Sequence, residues 1–61
     1  MKCYLKKIRK LKKMSQEEIA NKLNIKQTTV SEWENNNNIP NLKKAYELAE
    51  YLNVEVTDIW K

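Results

Sequence analysis

Residues 15–34, SQEEIANKLNIKQTTVSEWE, determine how this 61-residue chain folds. Ser15 and Glu18 have the spacing of a capping box, in which a serine and a glutamate together close the first turn of a helix. The apolar residues that follow at helical spacing are Ile19, Ala20 and Leu23. Asn24 comes next, and asparagine tolerates the left-handed backbone that ends many helices. The segment therefore predicts a helix that begins after Ser15 and ends at Asn24.

A second helix follows after a very short turn. It is predicted to begin at residue 26 or 27 and to end near Asn35, with Val30 and Trp33 directed inward. The small side chain of Ala20 allows the two helices to cross closely. The outward face is polar and consists of Gln27, Thr28, Ser31 and Glu32. These features predict a helix-turn-helix with a projecting second helix, and the alternative is an αα-corner with a solvated face.

Apolar periodicity predicts three more helices and no persistent strand. Helix 1 is expected from about Tyr4 to Lys13, and helix 4 between its cap Asn41 and a left-handed Asn53. A short helix 5 is expected over residues 57–60. The predicted fold class is therefore all-α, a compact five-helix single domain covering residues 1–61. The residues expected in its core are Leu5, Ile8, Ile19, Leu23, Val30, Trp33, Leu42, Leu48 and Ile59.

The composition excludes several classes of protein. The chain has no His and one Cys, Cys3, which excludes a His-based catalytic triad, a Cys/His zinc cluster and an intrachain disulfide. No apolar run is long enough to span a membrane. We therefore expect a cytoplasmic protein that is not an enzyme, with no metal, cofactor, membrane partner or small-molecule ligand.

Gly is absent and Asn occurs eight times, so Asn is expected at the backbone positions with positive φ.

The net charge of +4 is distributed unevenly. Residues 1–26 contain nine basic and two acidic side chains, whereas residues 27–61 contain three basic and six acidic ones. A basic half attracts polyanions, nucleic acid first, although a solvated helix face gives the same pattern. Most lysines of helix 1 are expected to act by long-range attraction without direct contact.

Residues 15–60 resemble the phage-repressor-like helix-turn-helix family of the Xre type, with the lambda-type repressors and Cro proteins. The matching features are S-Q-E-E at the start of helix 2, Ala20, Val30, Glu34, the I-P-N-L step into helix 4, and the ending V-E-V-T-D-I-W. Together with helix 1, the resemblance covers nearly the whole chain. It implies a lambda-repressor-like DNA-binding domain in which helices 2 and 3 form the helix-turn-helix.

The sequence departs from the family pattern at five positions. The family usually has Gly where this chain has Asn24, Asn36 and Asn53, and we expect Asn to preserve the fold there at a modest conformational cost. Trp33 replaces the usual Ile or Leu and would enlarge the core. Glu32 stands where many relatives carry Arg or Gln, so the base preferences of those relatives do not transfer directly.

The resemblance implies that double-stranded DNA is the partner, with helix 3 in the major groove and helix 2 across the backbone. The expected base contacts are Gln27, Thr28, Glu32, Ser31 and Lys26. Gln27 matches adenine, and Glu32 can accept a hydrogen bond from cytosine N4. The expected phosphate contacts are Gln16, Thr29, Asn35, Asn37, Asn38 and Lys43. The alternatives are that Gln27 only caps helix 3, that Glu32 is only a solvated charge, and that the asparagine tract is only a turn.

Arg9 is the only arginine in the chain. The resemblance implies that it forms a structural ion pair with Glu34, which would tie helix 1 to the end of helix 3. Contact with a phosphate is the alternative role. The planar fork of a guanidinium suits a carboxylate in a way that a lysine cannot reproduce.

The family resemblance also implies a homodimer, because dimers of this class bind half-sites about one helical turn apart. The exposed apolar groups expected at the dimer interface are Trp60, Val56 and Tyr51, and the alternative for Trp60 is that it closes the core of its own monomer.

The protein is expected to be a transcriptional regulator, a repressor rather than an activator, that binds a palindromic operator. A protein-interaction module, such as an antitoxin, is the competing class, and it predicts little salt-dependent DNA binding.

Overall fold

The computed structural model describes residues 1–61, and five α-helices account for most of the chain. In chain order they are α1 (Leu5–Leu11), α2 (Gln16–Leu23), α3 (Gln27–Glu34), α4 (Leu42–Leu52) and α5 (Val56–Ile59). The only β-type pairing is an isolated antiparallel bridge between Cys3 and Trp60. The predicted all-α, five-helix fold is therefore confirmed. The helix ends differ from the predicted ones by at most two residues.

The first four helices end in the same way, with a residue in the left-handed conformation followed by a backbone hydrogen bond that spans five residues. The left-handed residues are Lys13, Asn24, Asn36 and Asn53, with φ between 57° and 61°. The N–H of the next residue donates to the carbonyl five positions back, at 2.9–3.0 Å in all four cases. This arrangement is the Schellman motif, which satisfies carbonyls that the helix leaves unpaired.

Asparagine was expected at the positions with positive φ, and three of the four confirm it. Lys13 is the exception, since it is a lysine. Its φ of 57° lies in a region that is unfavourable for a side chain that forms no local hydrogen bond. The end of helix 1 near Lys13 was expected, but a left-handed lysine there was not.

Side-chain caps begin the two helices that frame α3. The N–H of Glu18 donates to Ser15 Oγ at 3.0 Å, and the N–H of Ser15 donates to Glu18 Oε1 at 3.0 Å, so the predicted capping box is confirmed. The N–H of Lys44 donates to Asn41 Oδ1 at 2.9 Å, as predicted for the start of α4. These caps fix where α2 and α4 begin and hence the lengths of the connecting turns.

The core draws on all five helices and on the C-terminal extended segment. Within it Trp33 and Trp60 meet edge to face, with ring centroids 6.3 Å apart and planes at 73°. Trp33 thus fills space in the core, as its size predicts. The buried apolar residues are Leu5, Ile19, Ala20, Leu23, Val30, Trp33, Ala45, Leu48, Ala49, Leu52, Ile59 and Trp60.

Two residues expected in the core are not fully buried. Leu42 is 70% exposed, because it lies in the first turn of α4 where no other element covers it. Ile8 is half-buried and packs against the edge of the core. Leu11, which extended the apolar pattern of helix 1, is 76% exposed at the last position of a short helix. Periodicity identified the helices correctly but overestimated how far their apolar faces are covered.

Trp60 was expected among the exposed apolar groups, and that expectation is wrong. It is 9% exposed, because the chain leaves α5 in an extended conformation and pairs with the N-terminal segment. The N–H of Lys2 donates to the carbonyl of Lys61 at 2.6 Å, and the N–H of Lys61 donates back at 2.9 Å. The indole of Trp60 is thereby held over the core, as the alternative interpretation stated.

Tyr51 is also not a freely exposed group. It is half-buried on α4, and Lys22 Nζ lies 5.5 Å from the centroid of its ring, in the range of a cation–π contact. Val56 is half-buried as well, but it lines an open groove described below.

Candidate nucleic-acid interface

The α2–α3 unit has the geometry of a helix-turn-helix. Only residues 24–26 separate the two helices, and the left-handed Asn24 reverses the chain direction at the end of α2. Ala20 is 3% exposed, so no large side chain separates the helices where they pack. Val30 and Trp33 anchor α3 to the core. The opposite side of α3 is therefore left outside the packed interior.

That outer side of α3 is polar and uncovered. Lys26, Gln27, Thr28 and Glu32 are exposed, and Ser31 is half-buried. All five residues expected to contact bases are thus on one accessible surface. Lys26 is the N-cap of α3 and Gln27 is its first helical residue, so Gln27 does not cap the helix. The five residues thus belong to α3 and its N-cap.

A chain of side-chain hydrogen bonds runs from α1 to the start of α3. Arg9 Nε and Nη2 donate to the two carboxylate oxygens of Glu34, at 2.8 and 3.2 Å. Gln16 Nε2 donates to Glu34 Oε1 at 2.9 Å, and Gln27 Nε2 donates to Gln16 Oε1 at 3.4 Å. The side chains of Arg9 and Glu34 are only 11% and 2% exposed. Glu34 is therefore a buried carboxylate that connects α1, α2 and α3.

The carboxylate of Glu34 fixes the orientation of both glutamine amides. An ionised carboxylate can only accept hydrogen bonds, so Gln16 must present its amide nitrogen to Glu34 and its oxygen to Gln27. Gln27 must then use an N–H toward Gln16. Its carbonyl oxygen and its second N–H remain available to solvent or a ligand. The contact between Gln16 and Gln27 was not foreseen, although both residues lie at the starts of the two crossing helices.

The asparagine tract combines structural and free side chains. Asn36 Oδ1 accepts a hydrogen bond from the N–H of Cys3 at 3.0 Å, which ties the loop to the N-terminal segment. Asn38 Oδ1 accepts from the N–H of Ile39 at 2.9 Å, and Asn35 Nδ2 donates to Ser31 Oγ at 3.4 Å. The Asn37 side chain makes no hydrogen bond within the protein. The amide groups of Asn35, Asn37 and Asn38 are exposed beside the end of α3.

The remaining residues expected at phosphates lie around the same unit. Gln16 and Thr29 are half-buried, and Lys43 is exposed in the first turn of α4. Gln16 and Thr29 belong to α2 and α3 themselves, and Lys43 belongs to α4. Contact with a phosphate remains a proposal for each of them.

An apolar groove of about 220 Å³ opens on another part of the surface. It was only partly anticipated, since the sequence indicated Val56 and Trp60 but none of its other residues. Ile39 is 59% exposed at one side, beside Leu42. The residues that line the groove are Met1, Ile39, Pro40, Leu42, Ala45, Val56 and Trp60.

Other kinds of site are not apparent in the structure. No group of three or more His, Cys, Asp or Glu side chains is arranged to hold a metal ion. No helix has the length and apolarity needed to cross a bilayer. Burial raises the pKa of the Cys3 thiol above its ordinary value of 9.0, which makes it a poor nucleophile at neutral pH.

Comparison with known proteins identifies the family. A search of curated proteins found no match to this sequence. A family profile described as helix-turn-helix matches residues 5–59, which covers all five helices. The match includes the complete α2–α3 unit and the C-terminal helix that closes the core. The chain therefore belongs to the Xre-type helix-turn-helix family of DNA-binding regulators, the family of the lambda-type repressors and Cro proteins.

Proposed function

We propose that this protein is a transcriptional repressor that binds a palindromic operator as a homodimer, with α3 in the major groove. The observation that carries the proposal is the uncovered polar face of α3, on which all five candidate base-contact residues are accessible. Occupation of the operator is the simplest way in which a DNA-bound domain of this kind regulates transcription, and this favours repression. Such a protein acts in the cytoplasm, associated with the nucleoid when it is bound to DNA.

Gln27 is proposed to read adenine. Its free carbonyl oxygen and second N–H form the acceptor–donor pair that complements N6 and N7 of adenine in the major groove. Gln16 supports the Gln27 side chain from α2, and Glu34 in turn supports Gln16. Because the amide is already oriented, less rotamer freedom is lost on binding.

Glu32 is proposed to select cytosine. It is exposed one turn along α3 from Thr28, and it forms no ion pair in the protein. A carboxylate there accepts a hydrogen bond from cytosine N4 and repels approach to phosphate oxygens. Thr28, Ser31 and Lys26 complete the proposed base-contact surface. Gln16, Thr29, Asn35, Asn37, Asn38 and Lys43 are proposed to contact phosphates around it.

The homodimer is proposed to form through the apolar groove defined above, with Val56 and the edge of Trp60 at its base. Exposed Ile39 and Leu42 extend this surface, whereas Tyr51 is engaged by Lys22 elsewhere and is no longer part of the proposed interface. Burying these apolar side chains against a second copy would remove them from water, at roughly 25 cal/mol for each Å². The interface is small, so we expect a weak dimer that DNA binding completes.

Selection of binding sites from random duplexes tests the proposed function. We expect an inverted repeat, with one adenine position relaxed by Gln27→Ala and one cytosine position relaxed by Glu32→Ala, each worth about 1–3 kcal/mol of discrimination. Lys22→Ala is the matched control, because that residue lies on α2 and contacts Tyr51. Enrichment of no sequence by the unmodified protein, together with DNA binding that is insensitive to salt, would favour the protein-interaction class instead.

Sedimentation tests the proposed dimer separately. Leu42→Glu places a charge in the groove at an exposed position, and we expect it to give monomers and weaker operator binding without loss of folding. Tyr46→Glu is the control, because Tyr46 is an exposed apolar residue of α4 outside the groove. Identical sedimentation of the two variants and the unmodified protein on DNA would show that the groove is not the interface.

A further inference from the structure

The helix-turn-helix unit itself has the wrong net charge to attract DNA. Residues 16–34 contain four glutamates and only two lysines. One glutamate, Glu34, is neutralised by Arg9, but the others lie exposed on α2 and α3. One of the two lysines, Lys22, is directed over the ring of Tyr51. The positive charge that neutralises phosphates must therefore come from outside this unit.

The basic residues are concentrated in the segment that precedes the helix-turn-helix. Residues 1–14 contain seven basic side chains and no acidic one. Arg9 is used by Glu34, and the other six are lysines that are all exposed and form no ion pair. Unpaired lysines concentrated in one short segment repel each other, and a polyanion is the partner that would relieve this repulsion.

The geometry of α1 separates these lysines into two sides. Leu5 and Ile8 face the core. At about 3.6 residues per turn, Lys6 and Lys10 lie on the same side of the helix as Arg9 but farther from the core. Lys7 lies on the other side, with the exposed Leu11. Because Arg9 contacts Glu34 and Glu34 contacts Gln16, the Arg9 side is the one that adjoins the start of α2.

Lys13 follows α1 in the α1–α2 turn. It lies two residues before the capping residue Ser15 and is exposed. Its left-handed backbone is the one such position in the chain that is not occupied by Asn. We call Lys6 and Lys10, on the Arg9 side of α1, and Lys13, in the turn that leads into α2, the basic ridge.

We propose that the basic ridge binds DNA backbone phosphates next to the bases read by α3, and that it supplies most of the salt-dependent binding energy. This inference rests on the proposed function and adds residues that the family resemblance did not assign. It also revises the expectation for helix 1, because Lys10 and Lys13 then act by direct contact. The phosphate candidates around α3, of which only Lys43 is charged, position the protein, and the ridge provides most of the counterion release.

The salt dependence of binding tests the ridge. Fluorescence anisotropy over a range of salt concentrations measures binding to a selected operator duplex and to a mixed-sequence duplex. The proteins compared are the unmodified chain and the variants Lys10→Gln, Lys13→Asn and Lys7→Gln. Each phosphate contact contributes about 0.9 to the slope of log affinity against log salt. We expect Lys10→Gln and Lys13→Asn each to reduce the slope by about 1.8 for a dimer, and Lys7→Gln to leave it unchanged.

This change is large enough to measure. Between about 50 and 200 mM salt, the affinity of the unmodified protein would fall roughly tenfold more than that of either ridge variant. The loss should be the same on both duplexes, because phosphates carry no sequence information. Lys13→Asn should fold at least as well as the unmodified protein, since Asn occupies the three equivalent turns.

Two different failures are distinguishable. Equal effects of the Lys7, Lys10 and Lys13 substitutions, or unchanged slopes in all of them, would overturn the ridge while leaving DNA binding intact. Absence of binding by the unmodified protein to either duplex at low salt would overturn the ridge and the proposed function together. Thermal melting of each variant checks that the changes in affinity do not come from unfolding.

Discussion

Replacing Arg9 tests the buried ion pair that connects α1 with α3. The guanidinium makes three hydrogen bonds, two to the carboxylate of Glu34 and one from Nη1 to the carbonyl of Met14 at 3.0 Å. In Arg9→Lys a single ammonium can keep the charge and one of these contacts, but it cannot reach all three acceptors. We therefore expect folding to be weakened by loss of two bonds.

The magnitude follows from the burial of the pair. Hydrogen bonds to charged groups contribute about 1.5–3 kcal/mol each, and the retained ammonium offsets part of the loss of two of them, so Arg9→Lys should cost about 2–4 kcal/mol. Arg9→Met removes the partner of a carboxylate that is 2% exposed, which should cost about 3–5 kcal/mol. A domain of this size has a total stability of only about 3–9 kcal/mol. At about 4–8 °C for each kcal/mol, the expected decrease in Tm for Arg9→Lys is about 8–32 °C.

The double variant Arg9→Met/Glu34→Leu separates the charge from the packing. When both partners become apolar, no buried charge is left unpaired, and we expect most of the stability lost in Arg9→Met to return. Urea unfolding followed by circular dichroism at low temperature measures all four proteins, with Lys10→Met as the control for an exposed lysine on the same helix. An Arg9→Met variant within about 1 kcal/mol of the unmodified protein would refute this reasoning, as would a double variant no more stable than Arg9→Met.

Three further predictions concern the turns and the single thiol. Ser15→Ala removes the acceptor for the N–H of Glu18 and should cost about 0.5–2 kcal/mol in urea unfolding, with unchanged stability contradicting the role of the capping box. Lys13→Gly relieves a left-handed backbone and should raise stability by up to about 1 kcal/mol, whereas a loss of stability would show that the Lys13 side chain contributes packing. Burial raises the pKa of the Cys3 thiol, so at about pH 8 the folded protein should contain less thiolate than the unfolded chain. It should therefore react more slowly with a disulfide reagent, and equal rates would contradict this.

Local features of the fold were predictable from the sequence because they depend on neighbouring residues. The capping box at Ser15 and the left-handed Asn24 and Asn53 each follow from one or two side chains acting on adjacent backbone. The left-handed conformation of Lys13 could not be found in this way, since lysine has no preference for positive φ. There the conformation is imposed by tertiary contacts, since α1 packs against α3 and Arg9 bonds to Glu34 and to the carbonyl of Met14, and these override the local preference.

Burial was harder to predict, because it depends on which elements lie above a residue. Leu42 has the correct spacing for the apolar face of α4 but begins the helix beyond the reach of its neighbours. Trp60 is buried only because the chain pairs with a segment almost sixty residues earlier. The candidate site shows the same limit, since the family motif indicated Arg9 and Glu34 but gave no signal for the link from Glu34 through Gln16 to Gln27.

The pairing of Lys2 with Lys61 has a consequence for chain topology. Because the two backbone segments are hydrogen-bonded side by side, a linker of a few residues would close the polypeptide into a ring without moving any helix. Ring closure restricts the unfolded chain far more than the folded one, and the entropy model for a loop of this length gives a gain of roughly 4 kcal/mol. Cyclisation would thus offer a small domain the reinforcement that larger proteins obtain from a bigger interior.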